Sequence, residues 1–114
     1  MTDTKKESAK RPCVYMLRCK GGSLYTGWTN DFEKRLAAHQ SGKGAKYTRS
    51  HLPVEPVYLE YLPDKITATR REAEIKKLRP ELKRKLLGSA SNELCRRSGR
   101  LMNNSKPSTN EEQK

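Results

Sequence analysis

Residues 13–28, Cys13-Val14-Tyr15-Met16-Leu17-Arg18-Cys19-Lys20-Gly21-Gly22-Ser23-Leu24-Tyr25-Thr26-Gly27-Trp28, set two short apolar runs on either side of a glycine pair. The first run, 13–19, reads as a strand. Lys20-Gly21-Gly22-Ser23 is turn chemistry, and 24–28 reads as a second strand. A gap this short admits only an antiparallel hairpin. Within it, Tyr15 and Tyr25 are not explained by the hydrophobic pattern. Gly27 follows Tyr25 at i+2 and lies on the same face, and a glycine inside a strand leaves room for a backbone or ligand beside the phenol. The two tyrosines share a face only if the loop has an odd number of residues, such as Gly21-Gly22-Ser23 with a bulge. A two-residue Gly-Gly turn puts them on opposite faces. The sequence leaves both arrangements open.

Beyond the hairpin, Asn30 is placed to cap a helix, with Glu33 three residues later as in a capping box. This helix is expected to run to about Gln40, with Phe32 and Leu36 facing the core and Arg35 and His39 paired at i, i+4 beside them. Residues 41–53 read as a basic, glycine-bearing loop, and 57–62 as a third strand preceded by Pro56. Thr67 is placed to cap a helix over about 68–78 with Ala68, Ile75 and Leu78 on its apolar side. Pro80 opens a last helix that ends at Gly88. The order β-β-α-β-α-α predicts an α+β domain over residues 12–88, a three-stranded antiparallel sheet flanked by helices. Residues 1–11 read as a disordered basic arm and 89–114 as a disordered polar tail.

The chain has 114 residues, of which 32% are hydrophobic and 33% charged, with a net charge of +12. Residues 12–88 hold 16 basic against 8 acidic side chains. A basic body of this size favours an anionic polymer through phosphate contacts and counterion release. The three cysteines, Cys13, Cys19 and Cys95, form no CxxC pair, which argues against a disulfide scaffold or zinc knuckle. No apolar stretch reaches the length of a membrane span, and the first 30 residues hold no signal-peptide core. The expectation is a cytoplasmic protein with no membrane partner.

The residues that bear chemistry run in the order Tyr15, Tyr25-x-Gly27, Arg35, His39, Glu72. Arg35 flanks the apolar stripe of its helix, where its guanidinium is able to grip a phosphate through paired donors. His39, one turn on, is placed to donate to the same phosphate or to shuttle a proton. Glu72 and Glu74 both border the apolar face of the later helix, and helical projection alone does not separate them. A hard cation such as Mg²⁺ often takes one or two carboxylates and fills its other positions with water and phosphate. The loop residues Lys43, Lys46, Tyr47, Thr48 and Arg49 mix cations, a hydroxyl and an aromatic, a mixture suited to phosphate contact and base stacking.

Taken jointly, Cys13-Val14-Tyr15, Tyr25-Thr26-Gly27, Arg35, His39 and Glu72 resemble the GIY-YIG nuclease domain over about residues 12–88. The stretches SLYTG, SGKGAKYTR and RREAEIKKL resemble its small stand-alone bacterial members. Cys13 stands at the family's first glycine, and Val14 and Thr26 at its isoleucines. The resemblance favours Glu72 over Glu74, because Ala68-x-x-x-Glu72 matches the family's helix spacing. It implies single-metal phosphodiester hydrolysis. In that chemistry Glu72 holds Mg²⁺ or Mn²⁺, Tyr15 helps deprotonate water, and Tyr25 orients water or phosphate. Arg35 balances phosphoryl charge, and His39 is an auxiliary donor or proton shuttle. The expected function is a metal-dependent endonuclease acting on DNA, on branched or single-stranded forms in repair or recombination, with RNA left open as a substrate. The alternatives are a non-catalytic nucleic-acid-binding module, or a docking protein that uses Leu94, Leu101 and Met102 as contact points.

Overall fold

The computed structural model describes residues 11–95. Residues 1–10 and 96–114, most of the expected arm and tail, lie outside the described residues. The elements are β1 (Cys13–Arg18), β2 (Leu24–Thr29), α1 (Phe32–Gln40), α2 (Lys46–Arg49), β3 (Glu55–Tyr61), α3 (Lys65–Lys76) and α4 (Pro80–Leu87). The sheet is antiparallel throughout, in the order β2-β1-β3. The expected three-stranded α+β architecture is present, with one addition: the basic loop contains the short helix α2.

β1 lies at the centre because it is apolar on both faces, and Cys13 through Leu17 are all buried. Its odd-numbered residues join one core cluster with Phe32 and Leu59. Val14 and Met16 join the other with Tyr58, Ala68 and Ile75. Helix α1 therefore covers one face of the sheet and α3 the other.

The hairpin register pairs Tyr15 with Gly27 and Leu17 with Tyr25. Arg18 faces Leu24, so the loop 19–23 is odd, and the Cys19 amide donates to the Ser23 carbonyl (2.8 Å) inside it. Gly21 and Gly22 take φ of 92° and 94°, the left-handed region that admits glycine freely. The odd loop places Tyr15 and Tyr25 on one face.

Several boundaries differ from the sequence reading. Helix α1 is capped by Asp31, whose carboxylate accepts from the Lys34 amide (3.2 Å), and not by Asn30. Helix α3 starts at Lys65, where Asp64 accepts from the Thr67 amide (2.8 Å), so Thr67 is inside the first turn. In both places an aspartate, next to Asn30 in one case and three residues before Thr67 in the other, offers the stronger, charged acceptor.

Residues 89–95 are also ordered on the domain and do not belong to a free tail. Asn92 is buried, and its side chain makes four hydrogen bonds. It accepts from the amides of Leu59 (3.1 Å) and Leu94 (3.0 Å) and donates to the carbonyls of Val57 (2.9 Å) and Leu87 (2.8 Å). Leu94 packs against the Tyr15-side core, which removes it from the exposed contact points expected of a docking tail. Among the described residues no helix is long and apolar enough to cross a membrane.

Candidate active site

Four of the five expected site residues meet on the α1 face. Phe32, Leu36 and His39 recur at helical spacing and turn toward the sheet, so His39 is carried fully into the interior. Its imidazole centroid lies 5.7 Å from the Tyr15 ring and 5.3 Å from the Tyr25 ring. The Tyr15 oxygen is 2.8 Å from His39 Nε2. Half-buried Arg35 stands beside the pair, and its charge acts on both.

Burial pushes the Tyr15 phenol up to about 12, while the Arg35 guanidinium pulls the other way. Burial lowers His39 to about 4, and the positive charge of Arg35 adds to that shift. Both groups are therefore neutral at pH 7. A groove lined by Thr29, Asn30, Asp31, Lys34, Arg35 and Ala38 opens beside this cluster.

Two glycines make the arrangement possible through sterics alone. A Cβ on Gly27 would lie 2.6 Å from the Tyr15 oxygen and 3.2 Å from the Tyr25 ring. The notch expected at Tyr25-x-Gly27 is thus filled by the Tyr15 phenol itself. A Cβ on Gly44 would collide with His39 Nδ1 and lie 2.9 Å from its Cα. Gly44 was read only as part of a basic loop. The available signal was the run of small residues at Gly42, Gly44 and Ala45 between lysines, which marks close backbone approach.

The expected nucleic-acid surface divides. Lys43, Lys46, Tyr47 and Arg49 are exposed on or beside α2. Thr48 is fully buried, so it is no surface contact. Its Oγ lies 2.8 Å from His39 Nδ1 and donates to the Ala45 carbonyl at 2.9 Å. Burial of Thr48 occupies the second imidazole nitrogen, and His39 has no free N–H with which to bind phosphate directly. Tyr47 is stacked on His51 at 4.0 Å, is near-parallel to Tyr25 at 6.4 Å, and its hydroxyl lies 2.6 Å from Ser23 Oγ. His51 had not been singled out by the sequence.

The fifth expected residue is Glu72. It lies on α3, across the sheet, on the same stripe as buried Ala68 and Ile75. Its side chain is 19% exposed and pairs with Lys76 at 3.3 Å. Glu74 is 65% exposed and bound by Arg71 at 3.1 Å. Arg71 also holds Glu60 (2.9 Å), which accepts from the Tyr58 hydroxyl (2.6 Å). Burial and orientation therefore separate two carboxylates that helical projection left equal. Among the described residues there is no group of three or more His, Cys, Asp or Glu able to hold a metal. An ion held at Glu72 would draw most of its donors from water and substrate oxygens, a donor set that suits Mg²⁺ or Mn²⁺ and not Zn²⁺.

Residues 11–85 match the GIY-YIG catalytic domain. A UPF0213 protein of Clostridium perfringens is 54% identical over 78 residues, covering 68% of this chain and 84% of that protein. Another, from Staphylococcus saprophyticus, is 47% identical over 74 residues, covering 65% and 90%. The solution NMR structure of a UPF0213 protein from Bacillus halodurans has 42% identity and a TM-score of 0.49, covering 74% of this chain and 89% of that one.

Proposed function

Because this chain belongs to the GIY-YIG catalytic-domain family, a family of nucleases, we propose that it is a divalent-metal-dependent endonuclease that hydrolyses DNA phosphodiester bonds. The observation that carries this reading is the buried contact of Tyr15 with His39, with Arg35 beside it and lining a groove, in a strongly basic chain. A phenol, an imidazole and a guanidinium held together are the components of a proton relay next to an anion-binding group.

In this reading Arg35 grips the scissile phosphate and stabilises the charge that develops on its oxygens. Tyr15 receives a proton from the attacking water as its own proton passes to His39 Nε2. The water oxygen bonds to phosphorus while the bond to the leaving sugar oxygen breaks, and that oxygen takes a proton from solvent. The resting protonation states oppose transfer from phenol to imidazole, so the transfer belongs to the transition state. Binding of a phosphate at Arg35 offsets the positive charge that lowers His39, which makes the imidazole a better acceptor when substrate is present. Tyr25, tilted against both rings, orients water or phosphate. Glu72 would hold Mg²⁺ or Mn²⁺, which when bound supplies Lewis-acid polarisation of the phosphate. Lys43, Lys46, Tyr47 and Arg49 would contact the nucleic-acid backbone and bases.

The preferred substrates are branched or single-stranded DNA, as expected of a repair or recombination nuclease. The test is incubation of the protein with single-stranded, duplex, flapped and branched DNA, and with RNA, in Mg²⁺, Mn²⁺ or EDTA. Cleavage in either metal and none in EDTA supports the reading. Binding without cleavage of every substrate would replace it with a non-catalytic nucleic-acid-binding module.

A further inference from the structure

We propose that Thr48 is a positioning residue that fixes His39 in its Nδ1–H form and so makes Tyr15 the donor in the Tyr15–His39 hydrogen bond. Three contacts define this chain: Tyr15 Oη to Nε2 at 2.8 Å, Nδ1 to Thr48 Oγ at 2.8 Å, and Thr48 Oγ to the Ala45 carbonyl at 2.9 Å. A carbonyl has no proton to give, so the Thr48 hydroxyl donates its single proton to Ala45. Its oxygen is then an acceptor only, and Nδ1 must carry the proton. Nε2 is left bare, and Tyr15 donates to it. For a neutral imidazole, one assignment alone makes all three contacts hydrogen bonds.

The surroundings leave His39 no other choice. The imidazole is fully buried, so water does not compete for either nitrogen. Turning the ring over would set carbons against Tyr15 Oη and Thr48 Oγ and lose both hydrogen bonds, and the close approach of Gly44 leaves the ring little room to shift. Thr48 is also the one inward residue of α2, whose Lys46, Tyr47 and Arg49 point outward. The helix that meets nucleic acid thus carries on its other side the hydroxyl that sets the direction of the proton path. A relay in which water loses its proton to Tyr15 requires a bare Nε2, and Thr48 supplies it. The role of this bond in cleavage rests on the nuclease reading; the tautomer itself does not.

The experiment is ¹⁵N NMR of the imidazole nitrogens in the full chain at pH 7, free of nucleic acid and metal. The protein has two histidines, so His51→Gln assigns the spectrum. Wild type should show a protonated Nδ1 and a bare Nε2 at His39. Thr48→Ser should keep that pattern. Thr48→Val, nearly isosteric but without an acceptor, should shift His39 toward the Nε2–H form. In single-turnover cleavage Thr48→Val should be slower by on the order of 10- to 100-fold with affinity within about twofold, and Thr48→Ser should restore the rate. A wild-type spectrum with Nε2–H, or a Thr48→Val spectrum that keeps Nδ1–H, overturns the assignment. If the tautomer follows Thr48 but no variant cleaves, the nuclease reading fails and the assignment stands.

Discussion

Tyr15 and His39 are held in neutral forms at the same place, and this has a measurable consequence for stability. His39 is lowered to about 4 in the folded chain from an ordinary value of 6.5. Between those values the unfolded chain binds the extra proton, so folding stability rises with pH across the window and is lost as pH falls through it. The loss should be on the order of 3 kcal/mol from pH 6.5 to 4. Denaturant unfolding should show a flatter pH slope for His39→Gln in that window, and parallel slopes would contradict a buried neutral imidazole. Arg35→Ala should lower single-turnover cleavage by about 100-fold or more while weakening binding only modestly, since one of several phosphate contacts is lost but a transition-state contact is removed. Equal losses in both would make Arg35 a docking residue. The sequence made Tyr15, Tyr25, Arg35 and His39 legible because their types and helical or strand spacing place them on defined faces. Thr48 was misread as a surface contact. A single inward residue in a four-residue helix leaves no periodicity, and only tertiary packing reveals its partner.

At the scale of elements, the sheet and its helices were legible because each strand and helix carries its own apolar pattern and punctuation. What the pattern missed is the closure of the β3 edge. Among the described residues β3 pairs with no strand but β1, so its outer amides and carbonyls need another partner. Asn92 supplies it, meeting the Leu59 amide and the Val57 carbonyl as a neighbouring strand would. A polar segment gave no hydrophobic signal of this, since one carboxamide does the pairing. Asn92→Ala should destabilise the domain by about 2–3 kcal/mol by leaving buried backbone groups unpaired. A chain ending at residue 88 should melt lower still, whereas unchanged melting of both would return residues 89–95 to the tail. The two glycines that join elements make a second prediction. Gly44→Ala should displace His39 from the sheet and cost about 1–3 kcal/mol through overpacking. The change should appear as lost Tyr15–His39 contact in NMR spectra even where the fold survives.

The whole chain carries a net charge of +12, and the exposed cations of its domain include those of α2. Binding to nucleic acid should therefore be driven by phosphate contacts, with affinity falling steeply as salt rises. A flat salt response, or strong preference for one duplex sequence, would count against that account. The fold also distributes the chemistry between two layers. The relay residues lie under α1, and Glu72 lies on α3 across the sheet, so cleavage would need both layers. The most direct test is the single-turnover cleavage rate of Glu72→Gln against Glu74→Gln, each with Mg²⁺ or Mn²⁺ on the best DNA substrate of the wild type. The substitutions make the same chemical change two positions apart on one helix, so general effects on helix stability should be similar. Glu72→Gln should remain folded, bind DNA at least as well as wild type and lose cleavage in either metal, while Glu74→Gln should stay near wild type. If Glu74→Gln is inactive and Glu72→Gln active, the carboxylate is misassigned within the same reaction class. If both variants cleave at the wild-type rate, the single-metal account is contradicted.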